Sequence, residues 1–346
     1  MTILIALLVF GIIVLVHEFG HYIVAKKSGV KVEEFAIGMG PKLISKQYGE
    51  TLYSIRLLPM GGFCKMLGED SVSEDSRSFS NKSVGTRIAV IFAGSFMNLL
   101  LAFTIIAWLV ASNGYITTTI DHTLPDTPAA YAGFQSGDKI ISLDGQKIHL
   151  RQEISLILSQ TKDHPIEIVA SRNGEKITKV VTPTIDENTH QGFLGISFGI
   201  KEPGEASLFE ILRQSFWQVI FLVKQVVIGL LQIITGQVNK DQIAGPVGVI
   251  QIIGESYESG LKTSFYIAIQ NVLYFAAIIS ANLGVMNLLP IPALDGGRLV
   301  FLIIEALRGK PIAVEKEGMI HFIGFALLMV LMVFVLYNDV VRIIAH

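Results

Sequence analysis

The sequence has a single cysteine, Cys64, among 346 residues. An internal disulfide framework is therefore excluded, and cysteine usage leaves the redox compartment open. Charge is scarce as well: 16% of residues are Asp, Glu, Lys or Arg, against about 25% in an ordinary soluble domain. The two signs nearly cancel to a net charge of −2, so nothing points to a nucleic-acid partner. No Lys or Arg precedes the first apolar run, Ile3 to Val16, and no small-residue cleavage site follows it. A secretory leader would carry both, so the run is expected to be a retained membrane helix. The internal repeats common in transporters are missing too.

What the chain has instead is apolar length, with 51% hydrophobic residues and a mean hydropathy of +0.55. Four segments are long enough to span a bilayer: Ile3–Ala25, Ile88–Ala111, Phe265–Leu289 and Ile320–Tyr337. A fifth, Leu208–Ile234, carries Glu210, Arg213 and Lys224, with Gln214, Gln218, Gln225 and Gln232 recurring at helical spacing. Its polar groups gather on one face, which predicts an amphipathic helix lying at the interface. Lys26, Lys27, Lys31, Lys82 and Arg87 flank the first two spans on one side only. The positive-inside rule then places 26–87 in the cytoplasm and exports 113–203.

Within 26–87, Val32–Ile37, Lys42–Gln47, Thr51–Leu58 and Phe63–Leu67 read as short strands separated by glycine turns, so small β-hairpins against the membrane are expected. Residues 113–203 have soluble-domain composition. Strands are predicted at Lys139–Leu143 and Ile166–Ala170, a helix near Arg151–Gln160, and turns at Asp144-Gly145 and Asn173-Gly174.

The chemistry begins at His17-Glu18-Phe19-Gly20-His21. Histidines at i and i+4 share one helical face and can grip one Zn2+, and the intervening glutamate can deprotonate a water on the metal. Ionisable groups inside an apolar helix are costly and usually mark function; the plain alternative is a pair of packing histidines with an interfacial glutamate. From Ile3 to His17 is roughly 21 Å of helix, which puts the motif in the inner half of a core about 30 Å thick. Water is expected to reach it from the cytoplasmic side.

A catalytic zinc needs a third protein ligand. Asn287-Leu-Leu-Pro290-Ile-Pro292-Ala-Leu-Asp295-Gly-Gly297 closes the third long apolar segment, and its prolines break that helix. Asp295 is the candidate ligand; the alternative is an aspartate cap on the Arg298–Leu307 helix. Asp295 can meet the histidines only if its preceding segment runs from outside to inside, which requires Leu208–Ile234 to stay on the outer surface.

The run Pro128 to Asp138, followed by Ile140-Ile-Ser-Leu-Asp-Gly145, resembles the core of a PDZ domain. The glycine–apolar–glycine–apolar loop of such domains is absent near Tyr115–Ile120, although Gly192-Phe-Leu-Gly195 has its form. The two metal motifs, in this order around such a domain, resemble the site-2 protease family of intramembrane zinc metalloproteases. Phe35–Gly40, Pro59–Leu67 and Asn81–Gly85 further resemble its bacterial branch that regulates sigma-E. In the second helix Ala93-Gly94-Ser95 stands before Asn98, where the family often has Ala-Gly-Pro.

The resemblance implies zinc ligands His17, His21 and Asp295, Glu18 as the base, and Asn287 as a substrate-holding residue. It implies a polytopic α-helical protein of the bacterial inner membrane with four transmembrane helices, a cytoplasmic β-hairpin region and one periplasmic PDZ domain. The corresponding parts are 1–25, 26–87, 88–112, 113–203, 204–263, 264–308 and 309–346. The implied substrates are pre-trimmed single-span membrane proteins, anti-sigma factors and signal-peptide remnants, with the PDZ domain acting as a screen. Two alternatives stand beside this: a membrane-tethered protease acting on exposed loops, with Glu255 or Glu258 as third ligand, and a non-enzymatic PDZ scaffold.

Overall fold

A computed structural model describes residues 2–69, 73–161, 164–186, 191–237 and 245–345. The chain divides into two compact units: Met1–Ile105 with Leu222–His346, and Ile106–Phe221.

The first unit is built on long helices. Its first helix, α1 (Thr2–Lys27), is apolar except where His17, Glu18 and His21 interrupt it, and it ends on Lys26 and Lys27. Beside it, α2 (Val84–Asn113) runs in the opposite direction. His21 meets Val90 near the start of α2, whereas Val9 and Ile13 share a cluster with Leu101 and Ile105 further along. Gly20 lets the two backbones approach: a Cβ there would collide with the Ala93 carbonyl and stand 2.8 Å from Met97 Cγ. A third helix, α7 (Phe265–Asn287), closes the layer, and Ser280 Oγ donates to the Asn98 carbonyl at 2.8 Å.

Between α1 and α2 lie two strands, β1 (Val32–Tyr48) and β2 (Thr51–Met66). Their register resolves them into four segments: 32–37 pairs antiparallel with 62–66 and parallel with 51–58, and 51–58 pairs antiparallel with 42–48. Phe35 pairs with Cys64 on one edge and Tyr53 on the other; Ile37 pairs with Gly62 and Ile55; Lys46 also pairs with Tyr53. The spatial order is thus 42–48, 51–58, 32–37, 62–66, with no described strand on the outer edge of 62–66. Val32, Phe35, Cys64 and Met66 bury against Ala25, Val90, Ile91 and Leu302, fixing the sheet to the helices around the His17–His21 turn.

Helix α6 (Pro246–Leu261) is capped from a distance. The N–H groups of Gly245, Val247 and Gly248 donate to the Asp339 carboxylate at 3.0–3.1 Å, and Asp339 belongs to α9 (Val314–Ala345). Gly254 of α6 lies against Thr2. The start of α1, helix α6 and the end of α9 therefore share one end of the unit. After α7, Pro290 and Pro292 forbid regular helix, and the chain turns through Ala293 at φ 78° into α8 (Asp295–Arg308).

The second unit contains β3 (Tyr115–Thr123), α3 (Pro128–Tyr131), β4 (Lys139–Leu143), β5 (Gln146–Lys147), α4 (Arg151–Thr161), β6 (Ile166–Arg172), β7 (Glu175–Val181), β8 (Thr184–Ile185), β9 (Gly192–Phe193) and β10 (Ile196–Lys201). Its main sheet has the order β10-β3-β4-β6-β7, with β5 paired to β4, and Ile120, Ile140, Leu143, Ile154, Ile168 and Leu194 fill the core. Asp144-Gly145 and Asn173-Gly174 both have positive φ at both residues, the backbone that tight hairpins need and that these dipeptides signal. The sequence placed the glycine-rich loop near β3 and found none there. Gly192–Gly195 instead leads into β10, the edge strand that pairs with β3.

A remaining helix, α5 (Leu208–Ile234), has the bounds expected of the amphipathic segment. By length and apolarity alone it is one of five helices among the described residues that could cross a bilayer, where the sequence reading counted four spans. The expected region 204–263 holds two helices, α5 and α6, and its residues 238–244 lie outside the described residues.

Candidate metal centre

The i, i+4 spacing brings His17 and His21 together on α1, their rings edge to face at 84° and their Nε2 atoms 3.1 Å apart. Asp295, at the start of α8, brings Oδ2 to 3.1 Å from His17 Nε2 and 3.4 Å from His21 Nε2. A tetrahedral ion with bonds near 2.0–2.1 Å would hold its ligands about 3.3–3.4 Å apart. The three separations suit such an ion. Asp295 Oδ2 is buried and has no hydrogen-bond partner, which leaves an acceptor aimed at the place a cation would fill. Among the described residues, these three form the one group of His, Cys, Asp or Glu able to share a metal.

Each of the three side chains is held from behind. His21 Nδ1 donates to the Val90 carbonyl at 2.9 Å, which leaves its Nε2 lone pair free. His17 Nδ1 lies 3.2 Å from the side-chain amide of Asn98. Asp295 is presented by the proline-rich break. The Ala293 N–H donates to His321 Nδ1 at 2.9 Å, and Gly297 leaves no room for a Cβ, which would stand 2.5 Å from the Ile291 carbonyl oxygen.

Glu18 lines the same cavity of about 330 Å3 as His17, His21, Asp295, Cys64 and the Arg298–Glu69 ion pair. Burial pushes the Cys64 thiol above its usual range, and the nearby Glu18 and Glu69 reinforce that. A second cavity of about 560 Å3, which also touches Arg298 and Glu69, extends to Arg87, Glu305 and Glu317. Asn287 Nδ2 sits 3.4 Å from His17 Nε2. All five residues singled out from sequence thus converge on one site. Glu255 and Glu258 do not: both are exposed on α6, and Glu255 accepts from Gln251 at 2.7 Å. The reading of either as third ligand is therefore not supported. Sequence reasoning gave no role to Asn98, although an amide amid Phe96, Met97 and Leu99 in an apolar helix is itself a signal.

Comparison with known proteins agrees with this geometry. Residues 5–331 match the profile of Peptidase family M50. A Clostridium perfringens relative is 41% identical over 99% of both chains. The zinc metalloprotease RasP of Geobacillus kaustophilus is 34% identical over 96% of each chain. The regulator of sigma-W protease RasP of Bacillus subtilis is 31% identical, covering 99% of this chain and 98% of its own. That relative is named for sigma-W, not for the sigma-E regulation that the resemblance had implied. A match over nearly the whole length, with the family's two motifs meeting in space, leaves one assignment: the chain belongs to peptidase family M50, the site-2 proteases, and is a zinc metalloendopeptidase.

Proposed function

We propose that this enzyme hydrolyses peptide bonds within the transmembrane segments of single-span membrane proteins, with His17, His21 and Asp295 as its zinc ligands. The observation that carries the reading is the position of the triad: two ligands in the body of one apolar helix and the third at the break after another. Bound zinc supplies a Lewis acid that polarises the scissile carbonyl and acidifies a water. Glu18, half-buried in the same cavity, takes that proton and returns it to the leaving nitrogen. A helical substrate hides its carbonyls in its own hydrogen bonds and must be extended first. The outer edge of segment 62–66 can pair with it by strand addition, and it runs beside the base, since a Cβ on Gly62 would stand 3.6 Å from Glu18 Cγ. Asn287, adjacent to His17, is placed to hold the extended backbone.

The basic flanks support an orientation with 26–87 in the cytoplasm and 113–203 outside the inner membrane. The polar cavities beside Arg298 and Glu69 then offer water its cytoplasmic route. The sigma-W regulator among the relatives makes anti-sigma factors the substrate class to test first, with signal-peptide remnants second. For 113–203, read as a PDZ domain, the sequence favoured a steric screen because the expected glycine loop was missing near Tyr115–Ile120. Its position before edge strand β10 favours a second role, capture of a newly made carboxyl terminus.

The deciding experiment measures zinc content and cleavage of a model membrane peptide. Glu18→Gln should retain zinc and lose cleavage, whereas His17→Ala, His21→Ala and Asp295→Ala should each lose most of the zinc. Zinc retained in all three ligand variants would sink the ligand assignment.

A further inference from the structure

We propose that Asn98 is a positioning residue that fixes the tautomer of His17, so that Nε2 presents its lone pair at the metal position. This rests on the ligand assignment above. Asn98 lies on α2, fully buried, with its side-chain amide 3.2 Å from His17 Nδ1. Its backbone carbonyl is engaged separately, accepting from Ser280 Oγ of α7 at 2.8 Å, so the residue is anchored on both sides of the layer.

Imidazole chemistry sets the requirement. A ring that coordinates through Nε2 while neutral must carry its proton on Nδ1, and that N–H needs an acceptor. His21 meets the requirement with the Val90 carbonyl, which can only accept. The group at the corresponding atom of His17 is the Asn98 amide, which can do either. With Nδ2 toward the ring, Oδ1 is buried and has no hydrogen-bond partner. An amide's nitrogen and oxygen exchange places by a half-turn of the last torsion. That turn brings Oδ1 onto Nδ1–H and commits Nε2 to the metal. An uncommitted His17 would spend part of its time with the proton on Nε2, facing His21 Nε2 and Asp295 Oδ2, and that form cannot bind the ion.

The test uses the full-length protein in detergent and reads zinc affinity by chelator competition, with thermal unfolding of the metal-free form as a control. Asn98→Leu keeps the volume and removes the acceptor; zinc should bind about 10- to 100-fold more weakly, the usual cost of losing a group behind a ligand. Asn98→Asp offers only acceptors and should hold zinc within about threefold of wild type, a rescue that a packing role would not produce. The proposal is overturned if Asn98→Leu binds zinc as tightly as wild type. It is equally overturned if the Leu and Asp variants weaken zinc alike. Zinc retained by His17→Ala would instead overturn the ligand assignment itself.

Discussion

Gly94 offers the sharpest test of the centre, because its replacement by alanine adds one carbon at a known place. A Cβ on Gly94 would stand 2.6 Å from His21 Cε1 and 2.8 Å from His17 Cε1. Carbon contacts settle near 3.5–4.0 Å, so each ring would have to withdraw by roughly 0.7–1 Å. Neither can do so cheaply. His21 is held by the Val90 carbonyl and His17 by Asn98, both on the same helix as the new methyl. Metal sites tolerate ligand shifts of only about 0.2 Å. Gly94→Ala should therefore weaken zinc by about 100-fold or more, on the order of 2.7 kcal/mol. The helix itself should not suffer, since alanine is the better helix former by about 1 kcal/mol. The assay is zinc per chain after dialysis against a graded chelator, with far-UV circular dichroism confirming helix content. Full zinc occupancy at wild-type affinity would refute the geometry.

Three further outcomes are expected. Cys64, the sole thiol, should react with an impermeant thiol reagent only after the membrane is opened, and at least about tenfold more slowly than in the denatured chain, because it is buried and its thiol is pushed up; ready labelling of intact cells would invert the orientation. Arg172 holds the Asp138 carboxyl below its ordinary value, so this pair stabilises the 113–203 domain above the unfolded aspartate range near about 4 and the contribution is lost as pH falls through the lower folded value. Asp138→Asn should flatten that acid dependence in thermal unfolding, and an unchanged profile would rule the pair out as its cause. Excising 113–203 with a short Gly/Ser bridge should leave zinc content unchanged and raise cleavage of substrates with bulky external domains. A fall in trimmed-substrate cleavage would mark the capture role, and loss of zinc would contradict the location of the centre.

Much of the site was legible because its information is local. The i, i+4 histidines need only a helix, and the prolines before Asp295 announce a break wherever the chain goes. The hairpin dipeptides Asp144-Gly145 and Asn173-Gly174 were legible for the same reason. The parts that sequence could not supply depend on distant partners. The four segments of 32–66 were each visible, but their order, with 32–37 flanked on both edges, follows from pairing across the whole stretch. Gly192-Phe-Leu-Gly195 was visible as a glycine–apolar stretch, but that it leads into the strand returning to pair with β3 follows only from the fold. Asn98 and Gly94 matter through what α1 brings against them, and no period in α2 records that.

Helix α5 shows where hydropathy stops deciding and connectivity takes over. Its length and composition suit a span, while its row of polar groups suits a surface. The first unit supplies an independent constraint. Helix α2 runs antiparallel to α1 and so heads toward the end marked by Thr2; α6, resting on Thr2, delivers the chain to α7 from that same end. On the orientation proposed above, the chain between Ile105 and Pro246 would cross the bilayer an even number of times. On that orientation, a single crossing by α5 would leave its end on the side away from the Thr2 end that α6 shares. An α5 lying along the outer surface avoids that. It also leaves α7 descending toward His17 and His21, the one direction that lets Asp295 reach them.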